Sequence, residues 1–496
     1  MNQLKNKVFN AINENKVVML FIILCAAATY ASKNPLTFVS AELFTRIGRN
    51  GFMVLALLIP VLAGMGLNFG ITIGAIAAQI AVFWIVYWGY TGITGFLLSV
   101  VMATPIAMIF GWMVGKLFNK MKGSEMIAGM VLGYFADGLY QLFFLYIIGG
   151  IIPVQNDTLI ITGGIGVKNT IDLANNLKYS LDTVSMLKVI EITFYVVVAI
   201  TLFKILFNKI QKTGSSIKKD FVLLGIAALA YAATFIPAVE GFLGKDRLLL
   251  LHGVTIAVVF VVALQVFRII HRKFVRKDPE YNMNQGISKI ITAIICYGLT
   301  YIKPIEKILL YVNIPVTTYL CIAALCVFNN MLLRTRLGQN MRTVGQSRAV
   351  ANAAGIDVDR TRIIAMILST VLACWGQLIY LQNIGTFSTY GAHTQVAQFA
   401  IAALLVGGAS VQKATNKQAI IGVILFHTLF IVAPQAGKEL FNNAQLGEYF
   451  RVFVAYGVIA VSLAMHAWKT TAKPTERGSN SKGLFAIIKP FTSSMK

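Results

Sequence analysis

Charge is scarce in this 496-residue chain: 12% of it is Asp, Glu, Lys or Arg against 57% hydrophobic residues, and acids are scarcest, 19 against 43 Lys and Arg. Soluble domains carry about a quarter charged residues, so a water-soluble globular fold of this size is excluded. Cysteine is sparse as well. All five (Cys25, Cys296, Cys321, Cys326, Cys374) lie in apolar runs without a metal-like pairing to histidine, so they read as small core residues. No Gly-x-x-x-x-Gly-Lys-Ser/Thr loop occurs, nor a Ser/His/Asp or Cys/His arrangement, nor paired catalytic carboxylates. The chain is therefore expected to be a conduit rather than an enzyme, and to take its energy from a partner or an ion gradient.

What is present is apolar sequence in long runs. About fourteen stretches of roughly twenty residues, among them 51–69, 71–89, 396–410 and 451–468, predict an all-α polytopic membrane protein. The net charge of +24 is explained by orientation, because 31 of the 43 basic residues fall in segments placed inside when the amino terminus is inside. Both termini are then cytoplasmic and no nucleic-acid partner is needed. The first apolar run, preceded by Lys5, Lys7 and Lys16, reads as a retained span rather than a cleaved leader.

One stretch, Leu333 to Gln382, differs from an ordinary loop between spans. Arg334, Arg336, Arg342, Arg348, Arg360 and Arg362 place its first part on the cytoplasmic side. Between them lie Gly345, Ala349, Ala351, Ala353, Ala354 and Gly355, a thin surface that another protein can grip closely. This is the composition of a docking element.

The order Leu-Gly, Arg-x-Val-Gly, then Ala-x-Ala-x-x-Ala-Gly-Ile-x-Val-x-Arg resembles the coupling segment in permease subunits of bacterial ABC importers for ribose, other simple sugars and nucleosides. Gly338, Arg342, Gly345, Ala351, Ala354, Gly355, Ile356, Val358 and Arg360 match that pattern as they stand. The resemblance implies a short cytoplasmic helix pair seated in a groove of an ATP-binding subunit. ATP and Mg²⁺ would then be held by that partner and no cofactor by this chain. A second permease subunit and an extracytoplasmic solute-binding protein are implied in the same way, in the inner membrane.

Three further blocks support the resemblance in the family's order. Ala-Gly-Met-Gly-Leu-Asn-Phe-Gly-Ile-Thr-Ile-Gly-Ala (63–75) is similar to its early glycine-rich stretch, with Asn68 in place of the usual acid. Ser124-Glu125 and the run to Ala136 resemble its second block, with Ser124 and Gly133 where that block has Asn. Residues 401–410, ending Gly-Gly-Ala-Ser, are similar to a third block, after which Gln412-Lys413 departs from the family's glycines. The spacing of Gly66, Gly70 and Gly74 permits close helix approach, and a glycine-broken helix there would also expose backbone along a solute path.

The resemblance implies a ten-span permease core, with about four extra spans of membrane length in this chain. Residues 1–219 are expected to form the first part of that core, with an outer loop at 149–188; 220–333 hold the extra hairpins and a lead-in span. The coupling segment is 334–362, the second core part 363–468, and 469–496 a basic cytoplasmic tail. A sugar or nucleoside needs uncharged hydrogen-bonding partners, and Asn68, Thr72, Asp137, Gln141, Gln377 and Gln395 are the expected path residues. Asp137 and Gln141 share one helical face, and an intramembrane acid points either to function or to an internal pairing. The expectation is the permease of an ABC importer for a monosaccharide or nucleoside, working by ATP-driven alternating access. An ion-driven secondary transporter or lipid-intermediate flippase of fourteen spans is the alternative. A membrane-embedded transferase is disfavoured, because no acidic or histidine cluster marks a membrane edge.

Overall fold

A computed structural model describes residues 16–154, 156–161, 164–211, 218–275, 283–443, 445–453, 456–457 and 460. The expected tail, most of the 451–468 run and the residues before Lys16 lie outside them. The described chain is helical throughout. Its elements are α1 (Lys16–Ser32), α2 (Leu36–Ala56), α3 (Leu58–Leu62), α4 (Ile71–Tyr87), α5 (Gly92–Lys120) and α6 (Glu125–Leu142). Then come α7 (Met186–Gln211), α8 (Lys218–Ala233), α9 (Pro237–Leu243), α10 (Leu250–Ile269), α11 (Met283–Leu299) and α12 (Lys303–Tyr311). The last are α13 (Val316–Leu332), α14 (Arg336–Gln346), α15 (Arg348–Ala353), α16 (Val358–Ile384), α17 (Ala392–Val406) and α18 (Asn416–Phe441). Two short antiparallel ribbons join β1 (Thr170–Asp172) to β4 (Thr386–Ser388), and β2 (Arg247–Leu249) to β3 (Asn313–Pro315).

Among the described residues, 7 helices are long and apolar enough to cross a membrane, or 9 when two pairs bent by 87° and 76° are each taken as one span. This is a multi-pass membrane protein. The difference from the expected fourteen has physical causes. The second apolar run begins well before residue 51, because Leu36–Leu62 is one span whose polar half is satisfied internally. Glu42 accepts from Arg46 Nε at 2.8 Å, one turn apart, and Arg49 Nε donates to Asn383 Oδ1 at 2.8 Å. α4 and α17 have only 17 and 15 residues and are lodged inside the bundle.

α16 is the axis. It packs against α2, α4 and α5, and small residues set the distances. A Cβ on Gly111 or Gly115 of α5 would stand 2.7 Å and 2.9 Å from the Cα atoms of Ile367 and Ile363, and one on Gly74 of α4 would stand 2.6 Å from the Thr370 carbonyl. Helix backbones meet this closely only where a side chain is missing on one of them. The spans of α16 and α18 are 61% buried, whereas those beginning at Met186 and Leu250 are 6% buried. α7 and α10 therefore lie at the periphery with apolar faces turned outward. The start of α10 (Leu250) and the end of α12 (Leu309, with Val312 following) pack together on Ala41 and Phe44 of α2.

At the end opposite the arginine-rich segment, the described residues between 149 and 185 form a cap seated on α16. β1–β4 pairing holds one edge of it, and Tyr390 Oη donates to the Val167 carbonyl at 2.7 Å. Burial pushes the Tyr390 phenol up to about 12. Asp182, which is buried, holds the other edge by accepting from Thr318 Oγ1, from Gln382 Nε2 at 3.0 Å and from Asn383 Nδ2 at 2.9 Å.

Candidate functional site

The arginine-rich segment folds into three helices because three side chains cap them. Thr335 Oγ1 accepts from the Gly338 N–H at 3.2 Å, Ser347 Oγ from that of Val350 at 3.4 Å, and Asp357 Oδ1 from that of Arg360 at 2.9 Å. Each bond satisfies a helix-terminal donor that has no intrahelical partner. Gly355 follows α15 at φ +73°, a left-handed conformation that stops the helix. Val344, Ala351 and Val358, with Ile356 alongside, form a small apolar cluster beneath the turn.

Of the expected docking residues, Gly338, Ala351 and Val358 are buried, Gly345 and Ile356 are half-buried, and Arg342, Ala354, Gly355 and Arg360 are exposed. Gly345 makes an internal backbone contact. It lies against the break between α3 and α4, where Gly64 takes φ +72° and a Cβ on Gly64 would come within 2.7 Å of the Gly345 Cα. The face turned outward is Ala349, Val350, Asn352, Ala353, Ala354 and Gly355, with Val350 60% exposed.

Behind this face stands an ion-pair fork. Glu125, the first residue of α6, accepts through Oε1 from Arg362 Nη2 at 2.5 Å and from Arg348 Nη2, and through Oε2 from the Gly123 N–H at 2.9 Å. Arg362 is 0% exposed, so a full counter-charge is required there. A cavity of about 520 Å³, lined by Gly64, Gly66, Glu125, Gly345, Ser347 and Arg348 among others, opens beside the fork. In the sequence alone the two arginines register only as positive charge. The available signal was Arg362 itself, a cation abutting the apolar run from Ile363, which calls for an acid nearby.

The expected path residues separate into groups. Asp137 and Gln141 do meet: Gln141 Nε2 donates to Asp137 Oδ2 at 3.0 Å. The other carboxylate oxygen lies 2.6 Å from Nε2 of His393, a buried residue at the start of α17. His393 had not been singled out, because nothing in the sequence joins positions 256 residues apart. Tyr140 sets its ring at 4.9 Å from the His393 ring, and its hydroxyl and His393 Nδ1 are buried without a hydrogen-bond partner. Thr72 faces α6 one turn lower, where a Cβ on Gly133 would stand 3.0 Å from its Oγ1. Asn68 and Gln377 are fully buried, and both ends of each amide lack a partner; Gln79 is in the same condition. Gln395 is exposed.

An apolar cavity of about 470 Å³ separates α5 from α6 above a floor of Ile73, Ile76 and Ile80, and the Tyr140 hydroxyl is the polar group among its lining side chains. Its lining does not suit a sugar, which needs several hydrogen-bond partners. No group of three or more metal-ligating side chains occurs among the described residues.

A multi-pass helical bundle with buried unpaired amides, an Asp137–His393 contact and a capped cationic segment at one end has the make-up of a membrane transport protein. Residues 215–463 match the family described as branched-chain amino acid transport system / permease component, and the chain belongs to that family. It is 25% identical over 213 residues to the L-arabinose transport system permease protein AraH of Escherichia coli and to its counterpart in Shigella flexneri, covering 40% of this chain and 62% of each relative. It is 31% identical over 128 residues to the probable ABC transporter permease protein y4mJ of Sinorhizobium fredii, covering 26% of this chain and 37% of that one. The chain thus spans less than two thirds of the length of these curated relatives. No solved structure matches it. The family match takes in the arginine-rich segment and begins after the early glycine block.

Proposed function

We propose that this chain is the membrane-spanning subunit of a binding-protein-dependent ABC importer, with a monosaccharide or nucleoside as cargo. The observation that carries the reading is the outward face of α15. Ala349, Val350, Ala353, Ala354 and Gly355 form a small exposed apolar surface, in a segment that also exposes Arg342 and Arg360 and is held by caps and ion pairs. An ATP-binding subunit with a complementary acidic groove fits it, and would supply the ATP and Mg²⁺ chemistry. The arginine-rich end is then cytoplasmic and the cap over α16 faces a solute-binding protein outside the inner membrane. Two such chains, or this chain and a sister subunit, would complete the path, and closure of the ATPases would bias it between two states. A sugar cargo is favoured by the AraH relatives, whose name specifies L-arabinose.

The test is co-purification in mild detergent of wild type against Val350→Asp with Ala354→Trp, both exposed positions. An ATPase subunit retained by the wild type and lost by the folded double variant supports the reading. A second reading, ion-driven transport, is favoured by the Asp137–His393 pair. A well-folded wild type that brings down no ATPase makes that reading the leading one.

A further inference from the structure

Three helices, α6 and the sequence-distant pair α15 and α16, meet at a single oxygen. Glu125 Oε1 receives Arg348 from the first turn of α15 and Arg362 from the first turn of α16, and Glu125 itself begins α6. α6 is otherwise loosely held. Its span is 17% buried, and the apolar cavity of about 470 Å³ lies between it and α5. Its closest support comes one and two turns above the fork, where Gly129 approaches the Gly70 nitrogen and Gly133 approaches Thr72, with an added Cβ at 3.2 Å and 3.0 Å from these atoms. One turn further lies Asp137 with its His393 contact.

We propose that Glu125 is the positioning residue that carries movement of α15 to α6, with the Gly129–Gly133 contact as the fulcrum and the Asp137–His393 contact as the driven end. The proposal rests on the docking reading above. The spacing is that of a balanced lever: the fork at 125, support at 129–133, the polar cluster at 137–141, all within about 24 Å of helix. The fork drives because two cations share its carboxylate, one from the element that meets the partner and one from the immobile axis. The cavity gives α6 open space on the side of Leu132, Phe135 and Leu139, so the contacts that yield when the driven end moves are those of Tyr140 and Phe144 with His393 and Phe83. Displacement of α15 therefore makes or breaks the Asp137–His393 contact on the far side of the support.

The experiment uses the chain purified with the ATPase subunit that accompanies it, after replacing the exposed Cys296 and the half-buried Cys321 and Cys326. Spin labels are placed at Leu142→Cys at the far end of α6 and at Asn352→Cys on α15, each paired with one at Ile421→Cys on α18; all three positions are exposed. Magnesium ATP with vanadate is expected to shift both distances in the wild type, by about 1–2 Å or more. R348Q, which spares the buried Arg362–Glu125 pair, should leave the shift at 352 unchanged and at least halve that at 142, and R348K should restore it. Gly133→Ala crowds the fulcrum while sparing every ion pair, and should reduce the shift at 142 even where R348Q folds poorly. An undiminished shift at 142 in folded R348Q and Gly133→Ala overturns the lever, as does a wild type in which 352 moves and 142 does not. Absence of any accompanying ATPase would instead remove the docking reading, and the lever with it.

Discussion

Gly345 and Gly64, at opposite sides of the sequence, touch backbone to backbone, with a Cβ on Gly64 falling 2.7 Å from the Gly345 Cα. The arginine-rich segment is therefore built into the bundle rather than laid upon it. A side chain at 345 would meet the Leu62 carbonyl oxygen far inside contact distance. Gly345→Val should cost about 1–3 kcal/mol through overpacking. Lower thermal midpoints in detergent would register this, while Val350→Asp on the exposed face leaves the midpoint unchanged.

Glu125→Gln leaves Arg362 buried beside a neutral amide. Breaking a buried pair by removing one partner costs about 3–5 kcal/mol, whereas loss of the half-exposed Arg348 costs about 1 kcal/mol or less. Equilibrium unfolding of Glu125→Gln and R348Q should order them this way. Equal destabilisation by the two would show that the fork is not the unit that its geometry implies.

Asp137→Asn is isosteric and keeps a hydrogen bond to Gln141 available, so the protein should fold. Solute transport in proteoliposomes is expected to fall at least about tenfold, equivalent to about 1.4 kcal/mol. Unchanged transport would remove the cluster from the solute path. Loss of dependence on an imposed proton gradient would favour the ion-driven alternative.

Asp182→Ala removes the acceptor for Thr318, Gln382 and Asn383 together. Buried donors left without an acceptor cost about 1–3 kcal/mol each when no water reaches them. Limited proteolysis should then cut within 149–188 at protease concentrations that leave the wild type intact, with the transmembrane core unaffected.

The helical class and the arginine-rich segment were legible in the sequence, because apolar run length and charge placement are local signals. Individual boundaries were less so. The span from Leu36 was hidden by Glu42, Arg46 and Arg49, whose neutralisation depends on each other and on Asn383, a residue from the far side of the chain. The pairing of Asp137 with Gln141 was readable from helical spacing, whereas His393 was not, since only the tertiary fold brings α17 to α6. The contact of Gly345 with Gly64 was equally unreadable, for a related reason. A small residue permits both partner docking and internal contact, and only the position of Gly64 decides between them.

The shortness of α4 and α17 bears on energetics of permeation. At 17 and 15 residues they rise about 25 and 22 Å, less than the ~30 Å of a hydrocarbon layer. The dielectric barrier facing an uncharged polar molecule is set by the dry distance it must travel rather than by bilayer thickness. In the permease proposed above, the dry distance facing an uncharged solute would therefore be set by α4 and α17 rather than by the full hydrocarbon layer. Asn68, Gln79 and Gln377, buried with both ends of each amide unpaired, would then be the groups placed to exchange hydrogen bonds with a hydroxyl-bearing solute as it loses its water.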